Sequence, residues 1–330
     1  MQPGKLAPEL LHRIVFPYLG AKRQDVLVRP GIGQDCSVVD FGSDLAVLSS
    51  DPITASGHHL GYLAVHVSAN DVAATGAEPV GLLLTLLLPP GTRPAEIEAI
   101  MQEIHAAAAS LNMAVLGGHT EFTPAVHRPV AAVTALGRAV KGRCITAAGG
   151  RPGDTLLLTK TAGCEGTAIL AADLAAPLSE RLGHELVARA QGFTAHISVV
   201  PEGRIAARCG AHAMHDVTEG GVLGAVAELA TASGCGAELW ADQVPLAPET
   251  VAICEALSLD PLGLIGSGSL LIAAAEPEAV QEPLARAGIA VAAIGRLLPK
   301  AEGLWLSAAG VRQPLIVPPR DELYRAFAGE

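Results

Sequence analysis

The stretch LGYLAVHVSANDVAATGAEPVGLLLTLLLPPG, residues 60–91, changes character halfway along. Leu60, Leu63, Ala64 and Val67 recur at helical spacing, and Gly76 is a common residue just past a helix end, so a helix is expected over Leu60 to Thr75. Val80 to Leu88 is an unbroken apolar run ended by Pro89-Pro90-Gly91, which reads as a buried strand. The next positions on the helix stripe are Asn70 and Asp71. Asp71 therefore extends an apolar face, and it does so in the last turn, where a negative charge opposes the helix dipole. Such a carboxylate is either a satisfied core aspartate or one compensated by a cation or a strong donor.

Upstream, GQDCSVVDFGSDLAVLSSD, Gly33 to Asp51, holds two short apolar runs about a turn at Phe41-Gly42-Ser43-Asp44. Asp35 and Asp51 are equidistant from Ser43, so a turn centred there places them opposite each other in an antiparallel hairpin. Facing carboxylates repel unless a cation or proton lies between them; the alternative is that both cap solvated strand ends. Asp35, Asp51 and Asp71 together offer three oxygen ligands without a soft partner. That set suits magnesium, which usually bridges to phosphates, so a nucleotide is the expected ligand.

Downstream, helices are expected over Pro94 to Leu111, Gly166 to Leu174, Glu180 to Gln191 and Val222 to Ala232, with another near Pro8 to Leu19. Strands are expected over Met113 to Leu116, Val130 to Arg138, Thr155 to Thr159, Ser269 to Ala273 and Val291 to Ala293. Interleaved strands and helices indicate a mixed α/β or α+β fold. The glycine-rich 147–153 segment divides it into domains at 1–143 and 151–330. In LGGHTEFTP, Gly117 and Gly118 follow a strand and read as a phosphate loop or a plain tight turn, with His119 and Glu121 beside them. MHDVTEGGVLGAVAELA, 214–230, places glycines before a helix, whose free N–H groups attract anions; Asp216 and Thr218 are alternatively its cap. His215, Asp216 and Glu219 put acid-base groups there.

Bulk properties narrow the class. Three hundred and thirty residues favour two domains, and a chain half apolar and 17% charged packs well. Aromatics at 3% and a net charge of -11 argue against nucleic-acid binding. Six cysteines without CxxC pairs read as reduced thiols. With no signal-peptide pattern and no apolar run long enough to span a bilayer, the expectation is a cytoplasmic protein without membrane contact.

The motifs GQDCSVV, LSSDPI, LAVHVSANDVAATGAEP, LGGHTEFTP, PGDTLLLTK and HDVTEGGVLGAVAELA occur in the order of a known superfamily. The chain resembles aminoimidazole ribonucleotide (AIR) synthetase, thiamine-monophosphate kinase, selenophosphate synthetase and, above all, the hydrogenase-maturation carbamoyl dehydratase. The resemblance implies an α+β, two-domain fold: N-terminal domains of a homodimer joined into a β-barrel, and a C-terminal α/β domain. It implies ATP and Mg2+ near that interface and phosphorylation of a substrate oxygen. On this likeness Asp35, Asp51 and Asp71 match magnesium and triphosphate positions. Asn70 joins the nucleotide set with Asp35, Asp71, Gly117, Gly118, His119 and Glu121. Asp216 and its glycines match a motif that lines the active-site cleft from the second domain, which makes His215, Asp216 and Glu219 the expected catalytic residues.

Three positions depart from the family. Gln34 precedes Asp35 where paired aspartates are common, and His119 follows Gly117-Gly118 where an aspartate is common. The dehydratase ends in Pro-Arg-Ile-Cys, whereas this sequence ends in Arg325-Ala326-Phe327-Ala328-Gly329-Glu330. The expected substrate is therefore a separate small molecule or a partner-protein thiol. A small-molecule kinase and a non-catalytic nucleotide-binding scaffold are the competing expectations.

Overall fold

The computed structural model describes residues 8–14, 16, 23–54 and 59–328. It contains two sheets. The first is ordered β1-β2-β3-β6-β4-β5 and is built from β1 (Val26–Val28), β2 (Ser37–Asp40), β3 (Asp44–Ile53), β4 (Glu78–Leu88), β5 (Ala114–Phe122) and β6 (Val130–Val140). All its pairings are antiparallel except β4 with β5. The second runs β13-β12-β9-β11-β7-β10-β8, from β7 (Thr155–Thr159), β8 (Ala211–Asp216), β9 (Gly236–Trp240), β10 (Leu270–Ala274), β11 (Val291–Leu298), β12 (Leu304–Ala308) and β13 (Val311–Pro314). The helices are α1 (Pro8–Ile14), α2 (Leu60–Ala74), α3 (Pro94–Ser110), α4 (Cys164–Asp173), α5 (Ala175–Leu182), α6 (His184–Gln191), α7 (Val200–Arg208), α8 (Gly221–Ala232), α9 (Pro248–Leu257), α10 (Pro277–Arg286) and α11 (Glu322–Ala328). Among the described residues no helix is long and apolar enough to cross a membrane.

Helix α2 lies where the halves meet. One continuous core joins Leu60, Ala64 and Ala73 of α2 to Leu82 and Leu86 of β4, and also to Leu157, Met214 and Ile272 of the second sheet. A helix covered on all sides needs no polar face, and α2 buries Ser68, Asn70 and Asp71 along with its apolar residues. Strands β7 and β10 are apolar on both faces because α8 covers one side of their sheet, while α2, α7 and α10 cover the other.

The hairpin differs from its sequence reading. The pairs Ser37↔Leu48, Val38↔Val47 and Asp40↔Leu45 centre the turn between Gly42 and Ser43, half a residue from the expected position. The antiparallel register thereby moves by one residue, which exchanges faces. Leu45, Val47 and Ser49 are buried with Cys36 and Val38, and Asp35 lies before the ladder rather than opposite Asp51. Asp51 instead pairs with Val133.

Gly117 and Gly118 lie inside β5, not in a loop. The register of β4 with β5 shifts at Leu116, and φ values of 155° and 149° at the two glycines carry the strand through. A Cβ on Gly118 would stand 1.8 Å from the carbonyl oxygen of Leu84. The expected 180–191 helix is divided at Gly183 (φ 88°) into α5 and α6. Of the expected Pro8 to Leu19 helix, residues 8–14 are helical; residues 15 and 17–19 lie outside those described.

Candidate active site

Four elements and one loop bring carboxylates together. Helix α2 presents Asp71, β3 presents Ser49 and Asp51, the end of β8 presents His215 and Asp216, and α8 presents Glu228. Asp35 reaches them from the segment before β2. Gly33 permits this approach: its φ is 71°, and a Cβ on it would lie 2.5 Å from the backbone oxygen of Glu228.

His215 is held from both sides. Nδ1 lies 2.6 Å from Asp35 Oδ1, and Nε2 lies 2.8 Å from Glu228 Oε2. Burial alone would depress the imidazolium, but the two carboxylates outweigh it and hold the His215 pKa well above its usual value. Nε2 is hydrogen-bonded to Glu228, whereas Nδ1, though close to Asp35 Oδ1, makes no hydrogen bond of normal geometry. Ligand atoms of Asp35, His215 and Asp216 lie within 4.8 Å of one another.

Asp71 is 7% exposed, and its carboxyl is pushed well up, first by burial and then by the charges of Asp216, Asp51 and Asp35. Ser49 Oγ lies 2.5 Å from Asp71 Oδ2 and 3.0 Å from Asp51 Oδ2. One hydroxyl proton cannot serve both carboxylates, so a further proton or a cation is required there. The neighbouring Cys36 thiol is pushed up by burial and by the charges of Asp71, Asp35 and Asp216, which disfavours its thiolate.

This donor set fits a hard divalent ion. Ligand atoms of Asp35 and Asp216 lie close enough to share an ion, and Asp71 stands within reach of their charges and of Asp51, so these carboxylates would offer it oxygen ligands.

The other expected residues lie elsewhere. Asn70 accepts from Val199 N and donates to Ile197 O, each at 2.8 Å, and so ties α2 to the second half. His119 and Glu121 pair with each other at 3.2 Å on the exposed β5 edge. Gly118 does share a row of the sheet with Asp51, through Val133 and Leu84, but three strand spacings of about 4.8 Å separate them by roughly 14 Å. Glu219 is half-buried beside Asp321, whose pKa it helps to raise. The glycine-rich start of α8 already has an anion. Asp321 Oδ2 accepts from Gly220 N at 2.6 Å, while Oδ1 accepts from Ile265 N at 3.2 Å and Leu323 N at 2.8 Å.

Sequence reading missed Ser49, Glu228 and Asp321. For Glu228 a signal existed: it is the one charged residue in the apolar helix GVLGAVAELATA.

Two sequence families cover most of the chain. The AIR synthase related protein N-terminal domain matches residues 33–139 and the corresponding C-terminal domain matches 151–304. The carbamoyl dehydratase HypE of Rhodobacter capsulatus is 30% identical over 283 residues, 84% of this chain and 80% of that protein. The crystal structure of Escherichia coli HypE, a hydrogenase maturation protein, superposes with a TM-score of 0.74 at 26% identity, covering 85% of this chain and 88% of that one. A structure of HypE in complex with ATP superposes at 0.69 and 21% identity, over 97% of each chain, a likeness of fold. The chain belongs to the AIR synthase related family, and within it resembles the carbamoyl dehydratases of hydrogenase maturation.

Proposed function

We propose that the protein is an ATP- and magnesium-dependent enzyme that phosphorylates a substrate oxygen and thereby turns it into a leaving group. The observation that carries this reading is that Asp35 and Asp216 lie within ligand distance of each other at the junction of the two halves, beside an Asp71 whose ionised form their charges and that of Asp51 oppose, so that a cation would relieve the cluster. Magnesium held by these carboxylates would screen the phosphate charges that otherwise repel an attacking oxygen. His215 positions Asp35 and Glu228 as a cation. Asp216 is the nearest candidate for the substrate hydroxyl proton.

In this reading residues 1–143 form the nucleotide-binding and dimerisation domain, and 151–330 close the cleft from the other side. The exposed edge strand β5 supports a homodimer: Val115, Leu116 and Phe122 are 43%, 50% and 58% exposed, a row that an unpartnered edge rarely carries. A second copy joined there brings the Gly117 to Glu121 strand into the barrel interface, where Gly117, Gly118, His119 and Glu121 take their nucleotide-contacting role. Sedimentation velocity should then give a dimer.

The activity is tested by supplying ATP with pooled small molecules and thiol-bearing peptides and analysing every product. ADP formation that depends on a second substrate supports the reading, and a stable phosphorylated product would make the enzyme a kinase. Stoichiometric ATP binding without turnover in any pool would favour the scaffold instead.

A further inference from the structure

Lys160 follows β7 at the junction of the two halves, and its backbone adopts a φ of 55°, in the left-handed region where glycine is at ease and a side chain is strained. What the side chain holds accounts for a lysine at such a position. Its ammonium lies 2.6 Å from Ser198 O, 3.0 Å from His196 O and 2.7 Å from Glu202 Oε1. An ammonium has three N–H donors and no acceptor, so these three oxygens engage all of it. The side chains of Lys160 and Glu202 are 22% and 3% exposed, and water screens the pair little.

Two backbone carbonyls and a carboxylate around one positive charge are also the kind of surroundings that replace the hydration shell of a potassium ion. Glu202 has a further oxygen to offer. Its Oε2 is buried and, among the described residues, takes no hydrogen bond of normal geometry. The ammonium has no fourth N–H for it, whereas an ion bound by oxygens alone can take both oxygens of the carboxylate. The titratable groups beside Lys160 add no charge of their own: burial and the ammonium bring His66 of α2 down to about 4, and burial pushes the Cys164 thiol up to about 12.

The cage reaches the aspartate cluster through one turn. Residues 196–199 are gripped from two sides: Lys160 takes the carbonyls of His196 and Ser198, while Asn70 of α2 takes the carbonyl of Ile197 and the N–H of Val199, each at 2.8 Å. Asn70 is fully buried and directly precedes Asp71. Glu202 lies in the first turn of α7, which begins where the gripped turn ends. Without a cation, two carbonyls and a buried carboxylate would face one another beside the turn that Asn70 holds.

We propose that Lys160 is the built-in cation of a monovalent-cation site and a positioning residue for the aspartate cluster: its ammonium holds the 196–199 turn, and through Asn70 the place of Asp71, so that in its absence the cage takes up potassium or ammonium. The positioning role rests on the reading of the aspartate cluster as the magnesium-ATP site; the cage itself does not.

The test compares the full-length protein with Lys160→Gly, which relieves the backbone at this φ while it empties the cage. Melting temperatures are measured without nucleotide in potassium, ammonium and choline chloride at equal ionic strength, and a non-hydrolysable ATP analogue is titrated with magnesium in each salt. Wild type should not distinguish the salts in either measurement. Lys160→Gly should melt about 3 °C or more higher in potassium or ammonium than in choline, a cation too large for the cage. Its analogue affinity should fall tenfold or more in choline and recover in the other two salts. Lys160→Met fills the cage with an uncharged chain, so its loss should persist in all three. Equal melting of Lys160→Gly in every salt, or a wild type that responds to potassium as the variant does, overturns the cation site. Undiminished analogue affinity of Lys160→Gly in choline, or a loss that no salt recovers, overturns the positioning role. If wild type does not bind the analogue at all, the ATP reading fails and the melting temperatures still decide the cage. Should Lys160→Met fail to fold, the salt response of Lys160→Gly decides alone.

Discussion

Nδ1 of His215, at the end of β8, stands 2.6 Å from Oδ1 of Asp35, in the segment before β2, so one buried ion pair bonds the second half of the chain to the first. Glu228 completes it from α8 at 2.8 Å. Replacing the ring takes from Asp35, whose side chain is 10% exposed, and from the partly buried Glu228 the imidazole that both contact. Breaking buried pairs in this way costs about 3 kcal/mol or more. Urea denaturation of His215→Ala should show a loss of about that size; a loss below about 0.5 kcal/mol would mean that the pair does not join the halves.

Asp71 carries the opposite expectation. Burial, Asp216, Asp51 and Asp35 all penalise its ionised form, so the metal-free protein stores repulsion at this point. Asp71→Asn keeps the shape and removes the charge. It should raise the melting temperature of metal-free protein by a few degrees, about 1 kcal/mol, and abolish any stabilisation by added magnesium. A variant less stable than wild type without magnesium would show that Asp71 is an ordinary satisfied core residue.

Glu165 links pH to stability. Its folded pKa of about 7 lies above the ordinary value of 4.5, so the folded state holds the proton more tightly. The resulting stability is full below pH 4.5 and is lost as pH rises through 7. The shift corresponds to about 3 kcal/mol at most, at about 1.4 kcal/mol per unit. Denaturation curves of wild type and Glu165→Gln should therefore diverge between those two pH values, with the variant the flatter. Parallel curves would contradict the burial of this carboxyl.

Asp321 replaces an external anion at the start of α8. Asp321→Ala would leave the N–H groups of Gly220, Ile265 and Leu323 without their acceptor, at about 1–3 kcal/mol for a buried group. A total near 3 kcal/mol is expected from thermal unfolding. Added phosphate should recover part of it, since the vacated helix start attracts anions. An unchanged melting temperature would dismiss the cap.

Much of this was legible in the residues. The 60–75 helix and the strand after it were read from spacing and glycine, and Asp71 was found because it broke two rules at once. The hairpin was found but its register was not, since the turn that joins Phe41 N to Asp44 O centres between two residues, where sequence symmetry cannot distinguish half a step. Gly117-Gly118 looked like a turn because positive φ in a strand, at a one-residue register shift, leaves the same signature as positive φ in a loop. Strand β8 escaped notice because AHAMHD carries the polar residues of the site at its buried end. Ser49 reaches Asp71 of α2, 22 residues on, and the pairing of Glu228 with His215 bridges α8 and the end of β8, contacts that no local spacing announces.

The central claim is that the clustered aspartates hold magnesium against the phosphates of ATP. Calorimetric titration of ATP into wild type, Asp51→Asn and Asp71→Asn, with and without magnesium, tests it most directly. Wild type should bind ATP at least tenfold more tightly with magnesium, a gain of about 1.4 kcal/mol, and each variant should lose that gain. Equal affinity with and without magnesium in wild type, or a full magnesium effect in both variants, would contradict the account.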